Sequence, residues 1–185
     1  IVCLLTVIGC VDTPAPEYFK PTIDIHNIET EEHTLSYPQS GGAYKIKISS
    51  DYIWNIYVDD DNDGWIDVMP STGEAGEAEV TVAVTPNWSN EQRTGYIRMY
   101  ADDFYIDSVV IKQEAVKLST DTDLLAFKAL GESKTITVDS NIEWDIVSKP
   151  SWISISPSTS DGVTTVSVTA DNNSDSINRN GKVIL

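Results

Sequence analysis

The stretch Trp-Ile-Asp-Val-Met-Pro-Ser-Thr at residues 65–72 decides the fold, because it returns as Trp-Ile-Ser-Ile-Ser-Pro-Ser-Thr at residues 152–159. On both sides of this stretch, further residues match in the same order at a slowly drifting offset. The matched pairs are Gly41 with Gly131, Ile46 with Ile136, Trp54 with Trp144, Asn87 with Asn173, Arg93 with Arg179 and Gly95 with Gly181. One ancestral unit with loop insertions therefore occurs twice, over residues 33–115 and 116–185.

Each unit is composed of short β-strands. Residues 44–48 read Tyr-Lys-Ile-Lys-Ile and residues 80–84 read Val-Thr-Val-Ala-Val, so every second residue is apolar, as in a strand with one buried face. Clusters of Gly, Pro, Asn and Ser separate such runs, and no helical period is sustained. About seven short strands per unit predict an all-β chain of two tandem immunoglobulin-like antiparallel β-sandwiches. The paired residues Trp54 and Trp144 are expected at the centres of the two cores.

The second unit is shorter than the first. It stops at Lys-Val-Ile-Leu (182–185), whereas the first continues from the matching place through a further strand to Lys-Gln-Glu-Ala (112–115). We therefore expect the second sandwich to lack its last strand, and the chain to be a fragment with a missing downstream domain.

The N-terminal residues indicate the cell compartment. Residues 1–9 are apolar and uncharged, too short for a bilayer, which needs roughly 20 residues, but suited to a signal peptide. Val-Ile-Gly-Cys at 7–10 resembles a bacterial lipobox, in which the cysteine receives a lipid and cleavage precedes it. We expect a signal-peptide remnant at 1–9, lipidation of Cys10 and a flexible tether over 10–32, placing the protein in the cell envelope on the outer membrane. The alternative is an apolar first strand with a chance cysteine. Which side of the membrane the protein faces stays open.

Charge and composition exclude several functions. The chain carries 12 Lys and Arg against 29 Asp and Glu, a formal charge of −17, which disfavours nucleic acid and anionic membrane faces as partners. Two His and two Cys leave little scope for imidazole or thiol catalysis. Adjacent acids such as Asp102 and Asp103 lie in expected turns, without the cleft that a pair of catalytic carboxylates needs. We predict no enzymatic activity and no required cofactor.

An acidic loop is the candidate metal site. Residues 59–67 read Asp-Asp-Asp-Asn-Asp-Gly-Trp-Ile-Asp, and alternate acids followed by glycine are typical of a calcium loop. The candidate Ca²⁺ ligands are Asp59, Asp61, Asp63 and Asp67. Pro70 occupies the position of the bidentate Glu of an EF-hand, so this is not an EF-hand. The alternative is a solvated acidic hairpin tip.

Four residues of the first unit are candidates for carbohydrate binding. Trp88 lies in a turn whose counterpart in the second unit is Ser174, so it could stack on a sugar ring. Tyr96, Arg98 and Tyr100 alternate with apolar residues and could form a flat face. The alternatives are that Trp88 covers the sandwich end or the neighbouring domain, and that the tyrosines form a cross-strand ladder on a solvated sheet.

The same motifs carry a family resemblance. SSDYIWNIYV (49–58), GWIDVMPSTG (64–73), RTGYIRM (93–99) and VVIKQEA (109–115), with their second copy over 140–185, resemble the BACON domain. Departures are the insertion before Trp65 and the absent final strand of the second copy. The resemblance implies bacterial surface or periplasmic glycan-processing proteins, often lipoproteins. The family's name stands for Bacteroidetes-associated carbohydrate-binding, often N-terminal, and some members act only as spacers.

Two functions follow as hypotheses. In the first, the chain is the non-catalytic stalk of a lipoprotein and holds a downstream domain of the same chain off the membrane. In the alternative, it is a carbohydrate-binding module for a plant polysaccharide or a mucin glycan.

Overall fold

The computed structural model describes residues 22–26, 33–60 and 64–185. Cys10 and the signal-peptide remnant over 1–9 lie outside the described residues. Within the described part there is no helix long and apolar enough to cross a membrane.

All regular structure in the described residues is β, which confirms the predicted fold class. The strands are β1 (Ile23–His26), β2 (Thr34–Tyr37), β3 (Gly42–Ser50), β4 (Trp54–Asp59), β5 (Ile66–Met69), β6 (Thr72–Gly73), β7 (Gly76–Val84), β8 (Arg93–Ala101), β9 (Phe104–Gln113), β10 (Leu118–Thr120), β11 (Glu132–Ser140), β12 (Trp144–Asp145), β13 (Ile153–Ser156), β14 (Thr159–Ser160) and β15 (Thr164–Ala170).

The first sandwich packs two sheets face to face. One has the strand order β1-β3-β7-β5 and the other β2-β9-β8-β4-β6. Every pairing is antiparallel except that of β2 with β9, which is parallel. Val80 and Val82 of β7 are fully buried opposite Ile97 and Met99 of β8, with Trp54 between the sheets. The period of two in the sequence therefore predicted the buried faces correctly.

Strand β1 corrects the predicted tether. Ile23 to His26 pair with Ser50 to Lys47 of β3, and Ile23 is buried in the core. The prediction of a flexible tether over 10–32 is therefore wrong for these four residues. Ile23 and Ile25 alternate with polar residues, a short period-two signal that the neighbouring acidic and proline residues obscured.

The matched glycines have a common structural role. Gly41 has φ +77°, and a Cβ there would lie 2.3 Å from the Val84 carbonyl oxygen. Its counterpart Gly131 has φ +79°, and a Cβ would lie 2.6 Å from the Ala170 oxygen. The turns that precede β3 and β11 each contain a residue with positive φ that lies close to backbone atoms. Only glycine fits such a position, because it has no Cβ.

The second sandwich is more open than the first. Its main sheet has the order β10-β11-β15-β13, and opposite it lies only the two-stranded pair β12-β14. The loss exceeds the one strand predicted, because the counterparts of β2 (124–127) and β8 (179–185) form no strand here. A single bridge joins Ser148 to Ile184. In the first sandwich β9 pairs with both β2 and β8, and the described residues of the second unit contain no corresponding strand.

Candidate functional site

The outer surface of the β4-β8-β9 part of the first sandwich presents aromatic rings. Cross-strand pairing places Tyr57 opposite Arg98, and Tyr100 opposite Tyr105. The ring centroids of Tyr57 and Tyr100 are 5.3 Å apart and those of Tyr100 and Tyr105 are 5.7 Å apart, both edge to face. We call the set Tyr57, Tyr96, Arg98, Tyr100 and Tyr105 the tyrosine face. The predicted cross-strand ladder is thus present, with Tyr57 added to it.

Arg98 is held in place at the centre of this face. Its Nη2 and Nε donate to Asp59 Oδ2 at 2.5 and 3.2 Å. The hydrogen bond to Asp59 raises the pKa of Arg98 above its usual value. The guanidinium carbon lies 5.7 Å from the centroid of the Tyr96 ring. An exposed ion pair of this kind adds little stability, so its main effect is to orient the guanidinium among the rings.

The tyrosine face is accessible and flat. Tyr57 is 58 % exposed, Tyr105 51 % and Tyr96 40 %, although each belongs to a regular strand. By the repeat, Tyr57 corresponds to Val147, Tyr96 to Lys182 and Arg98 to Ile184 in the second unit. The aromatic surface is therefore a property of the first sandwich alone. Such a surface offers ring faces for stacking and hydroxyl and guanidinium groups for hydrogen bonds.

Trp88 projects from a well-ordered turn. Asn87, which is buried, donates through Nδ2 to the carbonyl oxygens of Glu91 and Glu114, each at 2.9 Å, and its Oδ1 accepts from Ser89 N. Trp88 itself is 73 % exposed, so it covers neither the sandwich end nor the other domain, contrary to the alternative above.

The second sandwich repeats this turn around another residue. Asn173 donates to the Ile177 oxygen and accepts from Asp175 N, with Ser174 in place of the tryptophan. The Asn-centred turn is therefore a scaffold common to both units, which explains why Asn87 and Asn173 match in sequence.

The structure separates Trp88 from most of the tyrosine face. The turn that carries Trp88 leads into β8 at Arg93, and Tyr100 lies seven residues further along that strand. At about 3.3 Å per residue, the distance from Arg93 to Tyr100 is about 23 Å. Tyr96, Arg98 and Tyr100 thus form one surface, and Trp88 stands at the end of the same sheet.

The acidic loop is organised by a residue that was not among the predicted ligands. Asp60 is 8 % exposed, and its Oδ2 accepts hydrogen bonds from the amides of Trp65 and Ile66 at 2.9 and 3.4 Å. Asp59 pairs with Arg98, and Asp67 is exposed on β5. Asp61 and Asp63 lie outside the described residues, and residues 22–26, 33–60 and 64–185 contain no group of three metal-ligating side chains. The calcium site stays a prediction, which a calcium titration followed by thermal unfolding would test.

Sequence reasoning missed two features of this site. It grouped Asp59 with the calcium ligands, although Asp59, whose register partner on β8 is Tyr96, forms an ion pair with the diagonal neighbour Arg98. It also left Tyr57 out, although Asn55, Tyr57 and Asp59 share one face of β4 by the period of two. Only the strand order shows that this face lies beside Tyr96 and Tyr100.

Comparison with known proteins identifies the family. The BACON model, described as "Putative binding domain, N-terminal", matches residues 53–114 and 143–185, more than half of the chain and one segment in each sandwich. Similar solved structures include a Bacteroides ovatus GH5 xyloglucanase in complex with a XXXG heptasaccharide (19 % identity, TM-score 0.44, 57 % of this chain and 21 % of that one). Another is the NMR structure of a protein from Bacteroides thetaiotaomicron (14 % identity, TM-score 0.37), with a match that covers 56 % of this chain and 95 % of that one.

A third similar solved structure is that of WR4, a C. elegans MSP family member (15 % identity, TM-score 0.34). The match covers 51 % of this chain and 97 % of that one. The chain thus spans about a fifth of the length of the xyloglucanase. A search of curated proteins gives no match. One matched segment lies within each of the two units of the repeat, and the chain belongs to the BACON family, with two tandem copies of its domain.

Proposed function

We propose that the first sandwich is a non-catalytic carbohydrate-binding domain whose binding surface is the tyrosine face. The observation that carries the proposal is the row Tyr57–Tyr100–Tyr105, in which the ring of Tyr100 contacts the other two edge to face on the outer side of a sheet. Rings of this size are normally buried, and an exposed group of them indicates a binding surface. The axial C–H groups of a sugar ring suit an aromatic plane, and its hydroxyls suit the Arg98–Asp59 pair.

The flatness of the surface favours an extended glycan chain. The rings come from three adjacent strands, so they lie across the sheet and not around a cavity. A chain of sugars can contact several rings in succession, whereas a single small sugar would touch one. A plant polysaccharide or a mucin glycan is the class of ligand we propose, with Trp88 as a further contact for a long chain.

Affinity gel electrophoresis of the 185-residue chain with soluble plant polysaccharides and mucin tests this proposal. We expect retardation by at least one of them. Tyr100→Ala should weaken binding about two- to tenfold, because an aromatic contact contributes about 0.5–1.5 kcal/mol. Tyr44→Ala is the matched control, since Tyr44 is 45 % exposed on the opposite sheet. Equal effects of the two substitutions, or no retardation at all, would contradict binding at the tyrosine face.

A second candidate function, the stalk, is favoured by the junction between the sandwiches. The backbone of residues 114–117 is hydrogen-bonded to both units. Val116 N donates to the Ser89 oxygen of the first at 2.8 Å. On the other side, Asn141 Nδ2 donates to the Ala115 oxygen, and Lys117 N donates to Asn141 Oδ1, both at 2.8 Å. A junction bonded in this way resists bending, as a spacer requires.

Small-angle X-ray scattering tests the stalk. Asn141→Ala removes both bonds to the junction, and we expect a broader distribution of interatomic distances than in the unmodified chain. Asn172→Ala serves as a control, because Asn172 lies far from the junction in sequence. An unchanged distribution for Asn141→Ala would argue against a stiffened stalk. The lipid anchor at Cys10, which would place this stalk on the outer membrane, stays a prediction, and lipid labelling with Cys10→Ser as control would test it.

A further inference from the structure

The ion pair between Arg98 and Asp59 determines the charge that the tyrosine face presents to a ligand. Both hydrogen bonds of the guanidinium, from Nη2 and from Nε, go to one carboxylate oxygen, Asp59 Oδ2. The side chains of Arg98 and Asp59 are 42 % and 48 % exposed, so a ligand on the face can reach both. The pair therefore presents a positive and a negative group side by side, with no net charge.

Each member of the pair keeps hydrogen-bonding capacity for a ligand. A guanidinium has more N–H groups than the two that point at Asp59, and a carboxylate has a second acceptor oxygen besides the Oδ2 that Arg98 uses. A donor and an acceptor next to each other suit two neighbouring hydroxyl groups of a sugar. One hydroxyl accepts a hydrogen bond from Arg98, and the other donates one to Asp59.

An anionic ligand has no other cation to use among the rings. Within the described residues, Arg98 is the one positive group of the tyrosine face, and its register partners on the two neighbouring strands, Tyr57 and Ser108, are uncharged. Lys112 lies on the same side of the sheet, opposite Thr94. At about 3.3 Å per residue, Thr94 is about 13 Å from Arg98 along β8. A carboxylate or sulfate on the rings would therefore meet a guanidinium that is already paired.

The wider charge of the first sandwich acts in the same direction. Residues 33–115 contain 14 acidic and 5 basic side chains. Asp102 and Asp103 form the turn between β8 and β9, and so add negative charge at the end of the face that carries Tyr100 and Tyr105. Exposed charges interact over about 10 Å at moderate ionic strength. An acidic glycan on the face would therefore be repelled, whereas a neutral one would not.

Building on the glycan-binding function proposed above, we propose that Asp59 is the specificity-determining residue of the tyrosine face and restricts its ligands to neutral glycan chains. A neutral sugar finds a donor and an acceptor at the Arg98–Asp59 pair. A carboxylated or sulfated sugar finds its cation occupied and a second carboxylate beside it, and this repulsion discriminates against it.

Affinity gel electrophoresis of the 185-residue chain with matched pairs of glycans tests the preference. Each pair shares a backbone and differs in charge: hydroxyethyl cellulose with carboxymethyl cellulose, methyl-esterified with de-esterified pectin, and sialidase-treated with untreated mucin. The buffer contains EDTA, so that no divalent cation competes with Arg98 for Asp59. Wherever a pair retards the chain, we expect the less acidic member to bind at least about tenfold more tightly. Equal or tighter binding of the acidic member would overturn the proposal.

Asp59→Asn tests the residue itself. The substitution keeps an oxygen near Arg98 but removes the neutralising charge, so the guanidinium becomes available to an anionic group. We expect the ratio of the affinities for the neutral and acidic members to fall at least about tenfold. Glu77→Gln is the matched control, because it makes the same change of charge at an exposed residue of β7, in the opposite sheet. Equal changes in the two variants would mean that total charge sets the preference, and would overturn the proposal.

A double variant shows whether the new affinity depends on Arg98. Arg98→Gln added to Asp59→Asn should abolish the gain in binding of the acidic member, and persistence of that gain would contradict the proposal. An exposed ion pair contributes little stability, so both variants should fold, as circular dichroism would verify.

Tyr100→Ala separates this proposal from the glycan-binding function itself. A chain that no member of any pair retards would contradict both. Retardation that Tyr100→Ala weakens, but that is equal for the neutral and acidic members, would overturn the role of Asp59 and leave glycan binding in place.

Discussion

Replacing Trp54 with alanine is expected to lower the free energy of unfolding of the first sandwich by about 3–5 kcal/mol. Trp54 is 1 % exposed and packs against Gly73, where a Cβ would lie 2.3 Å from Trp54 Cζ2. The core is built around this ring, so its removal leaves a large cavity. Urea unfolding followed by circular dichroism measures the loss.

Trp88→Ala is the matched control for this prediction. It makes the same chemical change at a side chain that is 73 % exposed, and we expect a change within about 0.5 kcal/mol. The contribution of Trp54 is packing and not hydrogen bonding, because its buried indole N–H has no partner among the described residues. Trp54→Phe should therefore cost clearly less than Trp54→Ala. Similar losses for Trp54→Ala and Trp88→Ala would contradict the central role of this ring.

Removing the side chain of Gln113 should destabilise the first sandwich by roughly 3 kcal/mol. Gln113→Ala removes the four hydrogen bonds of a fully buried carboxamide, each of which contributes about 0.5–1.5 kcal/mol, while the three carbonyls keep their bonds from Gly41 N, Asn87 N and Arg93 Nη2. Arg93 also stacks on Trp65 and bonds to Thr85, so it should remain in place, and the penalty should come mainly from the lost bonds and packing of the carboxamide.

Gln113→Met separates polar anchoring from packing. Methionine retains most of the volume but offers no donor, so we expect a loss close to that of Gln113→Ala in the same urea experiment. Full stability of Gln113→Met would show that packing alone holds the end of β9.

Sequence and structure agree most closely where the repeat and the period of two act together. The alternation in 44–48 and 80–84 predicts which side chains are buried, because a strand has only two faces and one of them packs on the other sheet. Matched glycines such as Gly41 and Gly131 mark turns whose backbone conformation excludes other residues. β1 escaped prediction because four residues give too little pattern to outweigh an acidic context.

The candidate sites could be predicted only in part. Tyr96, Arg98 and Tyr100 follow from one strand, but Tyr57 and Asp59 join them through the pairing of β4 with β8. The role of Asp60 depends on its carboxylate accepting hydrogen bonds from the amides of Trp65 and Ile66. Neither the pairing of β4 with β8 nor the bonds of Asp60 correspond to a fixed residue spacing in the sequence, so neither could be predicted from it.

A tandem all-β protein of the BACON family can be predicted from the amino-acid sequence, because repeated motifs and residue periodicity are local properties of the chain. The grouping of exposed side chains into one surface and the partners of buried polar groups follow only from the folded structure. Strand order and register bring together residues far apart in the chain, such as Gln113 with Pro38 and Thr85.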